Sequence, residues 1–208
     1  MTDELVFYTN PMSRGRIVRW MLEEVGAPYR TEIIEYGDAL NAPAYRRINP
    51  MGKIPALRHA DTVVTETAAI CAYLADAFPS AGLAPPAGSR LRAPYYRWLF
   101  FGAGPLEAAW VNQALGVVVP PERQRMVGYG SLDLVLNVLE SALSAGQYLA
   151  GDFSAADVYV GAQMGFGLRF GTFGPRPAFL DYLGRLRGRP AFRRAEELDG
   201  PMPEPQKA

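Results

Sequence analysis

The chain has 208 residues, of which 49% are hydrophobic, and its 21 basic and 21 acidic side chains give a formal net charge of zero at pH 7. The hydrophobic content is sufficient for a folded core. The balanced charge excludes the overall basic surplus with which proteins bind nucleic acid or anionic membranes. We therefore expect a folded protein with neither nucleic acid nor membrane as a partner.

The terminal and apolar stretches indicate where such a protein is found. The first ten residues, MTDELVFYTN, carry acidic side chains where a secretion signal carries basic ones. The most apolar later stretch, WLFFGAGPLEAAWV, is interrupted by Pro105 and Glu107 and is too short to span a bilayer. We expect a soluble, cytoplasmic protein.

The first eighty residues alternate strand and helix signals. Apolar runs bounded by turn residues predict strands, and apolar residues at helical spacing predict helices. Strands are predicted at 4–9, 31–34, 53–59 and 62–64, and helices at 13–25, 43–47 and 66–78. The predicted order is βαβαββα, an α/β arrangement of the thioredoxin-like kind.

Strand signals stop after this region. The stretch PSAGLAPPAGSR at 79–90 is rich in Pro, Gly, Ala and Ser and predicts a linker. The remaining chain predicts helices at 91–115, 121–145, 154–168, 177–187 and 190–197. We therefore expect a thioredoxin-like domain at 1–80, a linker at 81–90 and an all-α domain at 91–208.

Four polar or reactive residues have simple structural interpretations. Cys71 and His59 are the only residues of their types, which excludes an intramolecular disulfide and a zinc site of cysteines and histidines, and we expect no metal. We expect Cys71 to be a small buried side chain of a helix and His59 to lie in a surface turn. Ser154 and Asp157 have the spacing of a helix cap and its N3 partner, and we interpret them as a folding signal.

Four stretches resemble the cytosolic glutathione transferase family, in that family's order and over nearly the whole chain. They are SRGRIVRWMLEEVGAPY at 13–29, NPMGKIPAL at 49–57, TETAAICAYLADAFP at 65–79, and GDFSAADVYVG at 151–161. The resemblance implies a thioredoxin-like domain that binds glutathione as co-substrate, followed by a helical domain. It further implies conjugation of glutathione to small hydrophobic electrophiles, as in detoxification, by a homodimer.

The chemical difficulty of that reaction is the glutathione thiol, because the thiolate is the nucleophile. A reference thiol with a pKa near 8.5 is only about 3% ionised at pH 7. Lowering the pKa by about two units requires about 2.7 kcal/mol of preference for the anion. One hydrogen bond to a charged acceptor supplies about 1.5 to 3 kcal/mol, and a helix N-terminus about 0.3 to 1 kcal/mol. A single hydroxyl at a helix start is therefore sufficient.

Two hydroxyls occupy the places where the family keeps its activating group. The resemblance places Tyr8 where tyrosine-type members have theirs, at the end of the first strand, and Ser13 in the turn used by serine-type members. The run PMSRGRIVRWMLEEVG is more similar to bacterial serine-type members, which favours Ser13. Structural alternatives remain, because Ser13 could serve only as a helix cap and Tyr8 only as a packed aromatic of the strand.

The resemblance also implies a set of glutathione contacts. Pro55 would follow a cis peptide bond, and the main chain of Ile54 would pair with the cysteinyl part of glutathione like an added strand. Lys53 would meet the glycyl carboxylate, with a solvated lysine as the alternative. Thr67, at the positive end of a helix, would bind the γ-glutamyl carboxylate, and Glu66 would bind its ammonium group.

The electrophile site is less specific in the sequence. Aromatic residues of the helical region are candidates for an apolar pocket, although aromatics at helical spacing also form ordinary core. The candidates are Tyr95, Trp98, Phe101 and Phe173.

Two alternatives to transferase chemistry stay open. One is a glutathione-dependent disulfide reductase or peroxidase that uses two glutathione molecules and no protein cysteine. The other is a non-catalytic binding module, because a fold does not dictate a function.

Overall fold

The structure is a computed structural model that describes residues 4–202. Its internal contacts divide this part of the chain into two compact units. Unit 1 takes in residues 4–83 and 189–202, and unit 2 takes in residues 84–188. The chain therefore leaves unit 1, builds unit 2, and returns to unit 1 with its last helix.

The elements follow one another with short connections. Those of residues 4–83 are β1 (Leu5–Thr9), α1 (Gly15–Val25), β2 (Tyr29–Ile33), α2 (Asp38–Asn41), α3 (Pro43–Arg46), β3 (Ala56–His59), β4 (Thr62–Thr65) and α4 (Thr67–Ala77). The later ones are α5 (Arg92–Phe101), α6 (Glu107–Ala114), α7 (Leu132–Ala145), α8 (Ala155–Arg169), α9 (Pro177–Arg187) and α10 (Pro190–Asp199).

Unit 1 is built on a four-stranded sheet in the order β2-β1-β3-β4. β1 runs parallel to β2 and antiparallel to β3, and β3 runs antiparallel to β4. This is the predicted βαβαββα arrangement with one short helix, α2, added before α3, so the thioredoxin-like fold is confirmed. All of Leu5, Val6 and Phe7 are buried, which shows that β1 is covered on both faces.

Helix α10 packs along α1, although it follows all the elements of unit 2. The Trp20 and Phe192 rings meet edge to face with centroids 5.0 Å apart, and Arg189 forms a bidentate ion pair with Glu24. The predicted all-α domain at 91–208 did not foresee this packing, because a helix periodicity does not reveal which unit covers its apolar face. As functional domains, the boundaries 1–80 and 91–208 stay a prediction.

Unit 2 consists of helices, as predicted, but two of them are shorter than the sequence pattern indicated. The predicted helix at 91–115 is interrupted by a π-helical turn, Gly102–Leu106, which contains Pro105. The predicted helix at 121–145 begins with a 3₁₀ turn, Pro121–Met126, and α7 starts later, where the Ser131 side chain accepts a hydrogen bond from the Leu134 N–H at 3.2 Å. Among residues 4–202, no helix is long and apolar enough to cross a membrane.

The capping prediction for α8 is confirmed. The Asp157 carboxylate is fully buried and accepts hydrogen bonds from the Ser154 N–H at 3.0 Å and the Ser154 hydroxyl at 3.1 Å. The Leu149 N–H and the Tyr182 hydroxyl, each at 2.9 Å, donate to its other oxygen. The pair therefore ties the start of α8 to a preceding loop and to α9.

The two single-copy residues behave differently. Cys71 is fully buried in α4, as expected, and burial raises the pKa of its thiol. The prediction for His59 was wrong, because this residue ends β3 and is half-buried rather than lying in a surface turn. Its ring stacks on Phe78 with centroids 5.7 Å apart, and its Nδ1 lies 2.9 Å from the Tyr73 hydroxyl.

Candidate functional site

The turn between β1 and α1 is shaped by the buried side chain of Asn10. Its Oδ1 accepts a hydrogen bond from the Met12 N–H at 3.0 Å, and its Nδ2 donates to the Ile34 carbonyl at 3.2 Å. A side-chain amide that binds the main chain two residues ahead fixes a tight turn. This turn places Ser13, the residue after Met12, just before the start of α1.

The Ser13 hydroxyl is half-buried and fully engaged in this turn. It donates a hydrogen bond to the Asn10 carbonyl at 2.7 Å and accepts one from the Gly15 N–H at 2.9 Å. The second contact satisfies one of the free amides of the first helical turn. Ser13 therefore binds the amide of the first residue of α1 from one position before the N-cap residue, Arg14, whose side chain makes no capping hydrogen bond.

The acceptor of the Ser13 hydroxyl has a second donor. The Asn10 carbonyl also receives the Ser13 N–H at 3.0 Å. If the hydroxyl turned toward another acceptor, this carbonyl would keep one hydrogen bond, so no buried polar group would be left unsatisfied. The donor capacity of Ser13 can thus be redirected at small cost, next to the positive end of α1.

Tyr8 lies in different surroundings from Ser13. Successive side chains of a strand point to opposite faces of the sheet, and Phe7 faces α1, where the Arg19 guanidinium lies 5.0 Å from its ring centre. Tyr8 consequently lies on the other face, with its ring 6.1 Å from that of Tyr45. Its hydroxyl interacts with the Arg58 guanidinium and raises the pKa of Arg58. The structure thus gives Tyr8 the packing of a strand aromatic.

A second turn repeats the construction of the first. Asn49 is buried, and its Oδ1 accepts from the Met51 N–H at 3.0 Å, the same contact that Asn10 makes with Met12. Its Nδ2 donates to the Lys53 carbonyl at 2.8 Å, and the Tyr45 hydroxyl donates to that carbonyl at 2.6 Å. The Lys53 carbonyl is therefore fixed from two sides, while the Lys53 side chain is exposed.

The turn leads directly to the implied proline. The Ile54–Pro55 peptide bond is cis, as the resemblance implied. Pro55 is buried and Ile54 is half-buried. Within residues 4–202, the Ile54 N–H and carbonyl take part in no hydrogen bond. The main chain of Ile54 is thus available to pair with an extended ligand.

The start of α4 holds the other two predicted glutathione residues. Thr67 is its first residue and is buried, whereas the Glu66 side chain is exposed. Glu66 adopts φ +68°, a left-handed conformation that a residue with a side chain rarely takes and that costs about 1 to 3 kcal/mol. Strained residues of this kind are common at binding sites. The free amides of the first turn of α4 also attract anions, so this helix start is a candidate binding position.

The four aromatic candidates for an electrophile pocket all lie in unit 2. Tyr95, Trp98 and Phe173 are buried, and Phe101 is half-buried with its ring 5.2 Å from that of Trp98. Phe173 packs against the main chain of α8, since a Cβ placed on Gly167 would lie 2.0 Å from its ring. Most of the set therefore packs as core, and pocket lining stays a prediction.

Sequence reasoning missed the two asparagines and Tyr45, which organise the turns. A usable signal was present, because Asn-Pro-Met occurs twice, at 10–12 and at 49–51, and Asn-Pro is a turn-forming dipeptide. The Tyr45 hydrogen bond had no such signal, since it depends on the approach of α3 to the second turn. Across residues 4–202, no group of three or more His, Cys, Asp or Glu side chains is placed to hold a metal ion.

Comparison with known proteins agrees with this geometry. The family model for the glutathione S-transferase N-terminal domain matches residues 12–77, which include Ser13, the second turn and the start of α4. The matched domain and the relatives support a glutathione S-transferase family for this chain. Glutathione S-transferase 3 of Schizosaccharomyces pombe is 29% identical over 162 residues, covering 70% of this chain and 66% of the relative. The glutathione S-transferase-like protein tpcF of Aspergillus fumigatus is 36% identical over 133 residues, covering 60% of this chain and 57% of the relative.

Solved structures of glutathione transferases extend the likeness to the whole fold. A glutathione transferase of Phanerochaete chrysosporium, crystallised with oxidized glutathione, superposes with a TM-score of 0.80 at 27% identity and covers 94% of this chain and 96% of its own. By sequence, the chain spans less than two thirds of the length of the two curated glutathione transferase relatives above, at 57% and 66%.

Proposed function

We propose that this chain binds glutathione, stabilises its thiolate, and conjugates it to small hydrophobic electrophiles. The observation that carries the proposal is the Ser13 hydroxyl at the start of α1, which can exchange the Asn10 carbonyl for another acceptor without leaving that carbonyl unsatisfied. A thiolate at this position would gain one charge-assisted hydrogen bond and the field of the helix N-terminus. No protein base or metal is required, because the bound thiol loses its proton to solvent.

The rest of the tripeptide would lie along the two other features of unit 1. The unpaired main chain of Ile54 would bind the cysteinyl unit as a short added strand. The buried hydroxyl of Thr67 and the amides at the start of α4 would receive the γ-glutamyl carboxylate, and the exposed carboxylate of Glu66 would meet the ammonium group. The Phanerochaete chrysosporium relative, crystallised with oxidized glutathione, supports this class of ligand.

Binding is tested by calorimetry with reduced glutathione and by retention on a glutathione column. We expect retention and elution by free glutathione. If the chain flows through and free glutathione leaves its melting temperature unchanged, the proposal loses its basis. If it binds, turnover of an aryl halide supports conjugation, whereas turnover only of a glutathione-capped disulfide would assign the reductase alternative. Binding without either turnover would assign a non-catalytic module.

The role of Ser13 is tested by Ser13→Ala. We expect kcat/KM to fall about ten-fold or more and the pKa of bound glutathione, followed by thiolate absorbance, to rise, because one charge-assisted hydrogen bond is lost. Tyr8→Phe should leave both quantities nearly unchanged.

Because Ser13→Ala also removes the hydrogen bond to the Gly15 N–H at the start of α1, a matched control is needed. Ser131 caps α7 in unit 2 through the Leu134 N–H. Ser131→Ala should therefore cost a similar amount of stability, about 1 kcal/mol, while leaving the pKa of bound glutathione unchanged. A raised pKa in Tyr8→Phe together with an unchanged pKa in Ser13→Ala would reverse the assignment.

A further inference from the structure

Arg16 is a buried arginine whose side chain faces back toward the Ser13 turn. It lies one residue after Gly15, near the start of α1, and only 8% of its surface is exposed. Its Nε donates a hydrogen bond of 2.7 Å to the Pro11 carbonyl. The turn is therefore fixed by the Asn10 side chain, which belongs to it, and also by Arg16, which follows it.

The other end of the same guanidinium reaches the end of α10. Its Nη2 donates to the Gly200 carbonyl at 2.7 Å and to the Asp199 carbonyl at 3.3 Å, and its Nη1 lies 3.7 Å from a carboxylate oxygen of Glu196. Carbonyls at the end of a helix have no partner within the helix and carry its partial negative charge. The buried Arg16 guanidinium is therefore hydrogen-bonded both to the Pro11 turn and to the carbonyls at the end of α10.

We infer that Arg16 is a positioning residue that fixes the Pro11–Ser13 turn to the C-terminal end of α10, so that residues near position 200 help to orient the Ser13 hydroxyl. The catalytic consequence rests on the function proposed above. The mechanical link rests only on contacts within unit 1. The planar guanidinium is required, because it donates in several fixed directions at once. A lysine ammonium in the same place could not reach both the Pro11 carbonyl and the carbonyls at the end of α10.

The first experiment compares Arg16→Lys with Glu24→Gln. The Glu24 carboxylate accepts two hydrogen bonds from the Arg189 guanidinium. This ion pair lies at the opposite end of the contact between α1 and α10 and does not touch the Pro11–Ser13 turn. Both changes loosen the packing of α10. We expect only Arg16→Lys to speed amide hydrogen exchange at residues 12–16 of the ligand-free chain, by about ten-fold, the loss of one hydrogen bond. Equal exchange rates in the two variants would overturn the inference.

The second experiment leaves Arg16 intact and moves its acceptor. Gly200 has φ +69° with open space where a Cβ would lie, and Gly26, at the end of α1, has φ +71° and is equally open. Gly200→Ala therefore strains the main chain at Gly200 without a steric clash. Gly26→Ala is a milder control in the same unit, because Gly26 has ψ 12° in the left-handed region whereas Gly200 has ψ −178°. We expect faster exchange at residues 12–16 in Gly200→Ala alone. This pair keeps the inference testable if Arg16→Lys fails to fold.

The link to catalysis is read in the pKa of bound glutathione. Arg16→Lys and Gly200→Ala should both raise it, whereas Glu24→Gln and Gly26→Ala should not. If the unaltered chain binds no glutathione, the proposed function fails while the exchange results still decide the mechanical link. If glutathione binds and its pKa is the same in all four variants, the positioning role of Arg16 is refuted and the proposed function stands.

Discussion

Asn10 and Asn49 show how much of the candidate site depends on single side-chain amides. Each accepts the N–H of a methionine two residues ahead, at 3.0 Å in both cases, and each donates its amide hydrogen to a carbonyl farther along the chain. The first turn presents the Ser13 hydroxyl and the second presents the main chain of Ile54. Two copies of one local motif therefore place the two groups that would hold the cysteinyl unit of glutathione.

Tyr45 supports the second turn, and its ionisation makes that support dependent on pH. Burial and the nearby Tyr8 raise the pKa of Tyr45 to about 12, while its ordinary pKa is about 10. Because the folded-state pKa is raised, this contribution to stability is complete below about pH 10 and is lost as the pH rises through about 12. We expect Tyr45→Phe to lower the free energy of unfolding by about 1 kcal/mol at neutral pH and to reduce its decline in alkaline solution. Urea unfolding at a series of pH values measures both effects.

Tyr29 also contributes to the loss of stability in alkaline solution, so Tyr45→Phe should remove only part of it. Burial raises the pKa of Tyr29 to about 12 as well. If the free energy of unfolding declines as steeply with alkaline pH in Tyr45→Phe as in the unaltered chain, Tyr45 has the same pKa in the folded and unfolded states.

At single residues, the sequence was informative where a local rule decides the outcome. A lone cysteine on the apolar face of a helix is normally buried, and Cys71 is. Ser154 and Asp157 form the capping box that their spacing indicates. His59 was misplaced because its neighbours, Tyr73 and Phe78, come from α4 and its end rather than from the strand itself. The partners of the Ser13 hydroxyl were unpredictable for the same reason, since they depend on the path of the turn.

At the scale of elements, α1 begins where it does because of a close approach to β1. A Cβ placed on Gly15 would lie 1.9 Å from Thr9 Oγ1 and 2.9 Å from Ser13 Oγ. Thr9 is fully buried, and its hydroxyl has no hydrogen-bond partner within residues 4–202. The buried Thr9 side chain cannot move aside easily, so glycine is required at the first position of the helix.

This contact predicts a rescue. Gly15→Ala should destabilise the chain by about 1 to 3 kcal/mol through overpacking. Adding Thr9→Ala removes the nearest atom and should recover part of that loss, at little cost because the Thr9 hydroxyl makes no hydrogen bond. The midpoint of urea unfolding is compared among both single variants, the double variant and the unaltered chain. Additive losses in the double variant would contradict the proposed contact.

The errors in element bounds arise where tertiary contacts override periodicity. The helix predicted at 91–115 is interrupted where its GAGP segment forms a π turn. Gly102 in this turn packs on the Tyr159 ring, close enough that a Cβ would lie 2.9 Å from it. The helix predicted at 121–145 contains Gly128 and Gly130 just before Ser131, which caps α7, and the α-helix begins only after that cap. By contrast, the chain order of strands and helices in residues 4–83 agrees with the predicted βαβαββα order, apart from the added helix α2.

At the scale of the whole molecule, the feature that sequence order concealed is the discontinuity of unit 1. Arg19 lies on α1 with 5% of its surface exposed, and its Nε donates to an Asp199 carboxylate oxygen at 3.1 Å. Its Nη1 donates to the Tyr29 hydroxyl at 3.1 Å and to the Thr31 hydroxyl at 2.7 Å. A buried arginine on an early helix is itself the signal that a distant acid must cover it. The sequence does not show which acid pairs with Arg19, so Asp199 could be identified only from the structure.

The last prediction concerns the return of the chain to unit 1. Deleting residues 190–208 removes Asp199 from the buried Arg19 and Phe192 from Trp20. Loss of one partner of a buried ion pair alone costs about 3 to 5 kcal/mol, which is a large part of the usual total of about 5 to 15 kcal/mol. We therefore expect this truncation to abolish the cooperative unfolding of unit 1, followed by tryptophan fluorescence, and Asp199→Ala to lower its midpoint without abolishing it. A truncated chain at 189 that unfolds with an unaltered midpoint would show that α10 contributes nothing to the stability of the unit on which it packs.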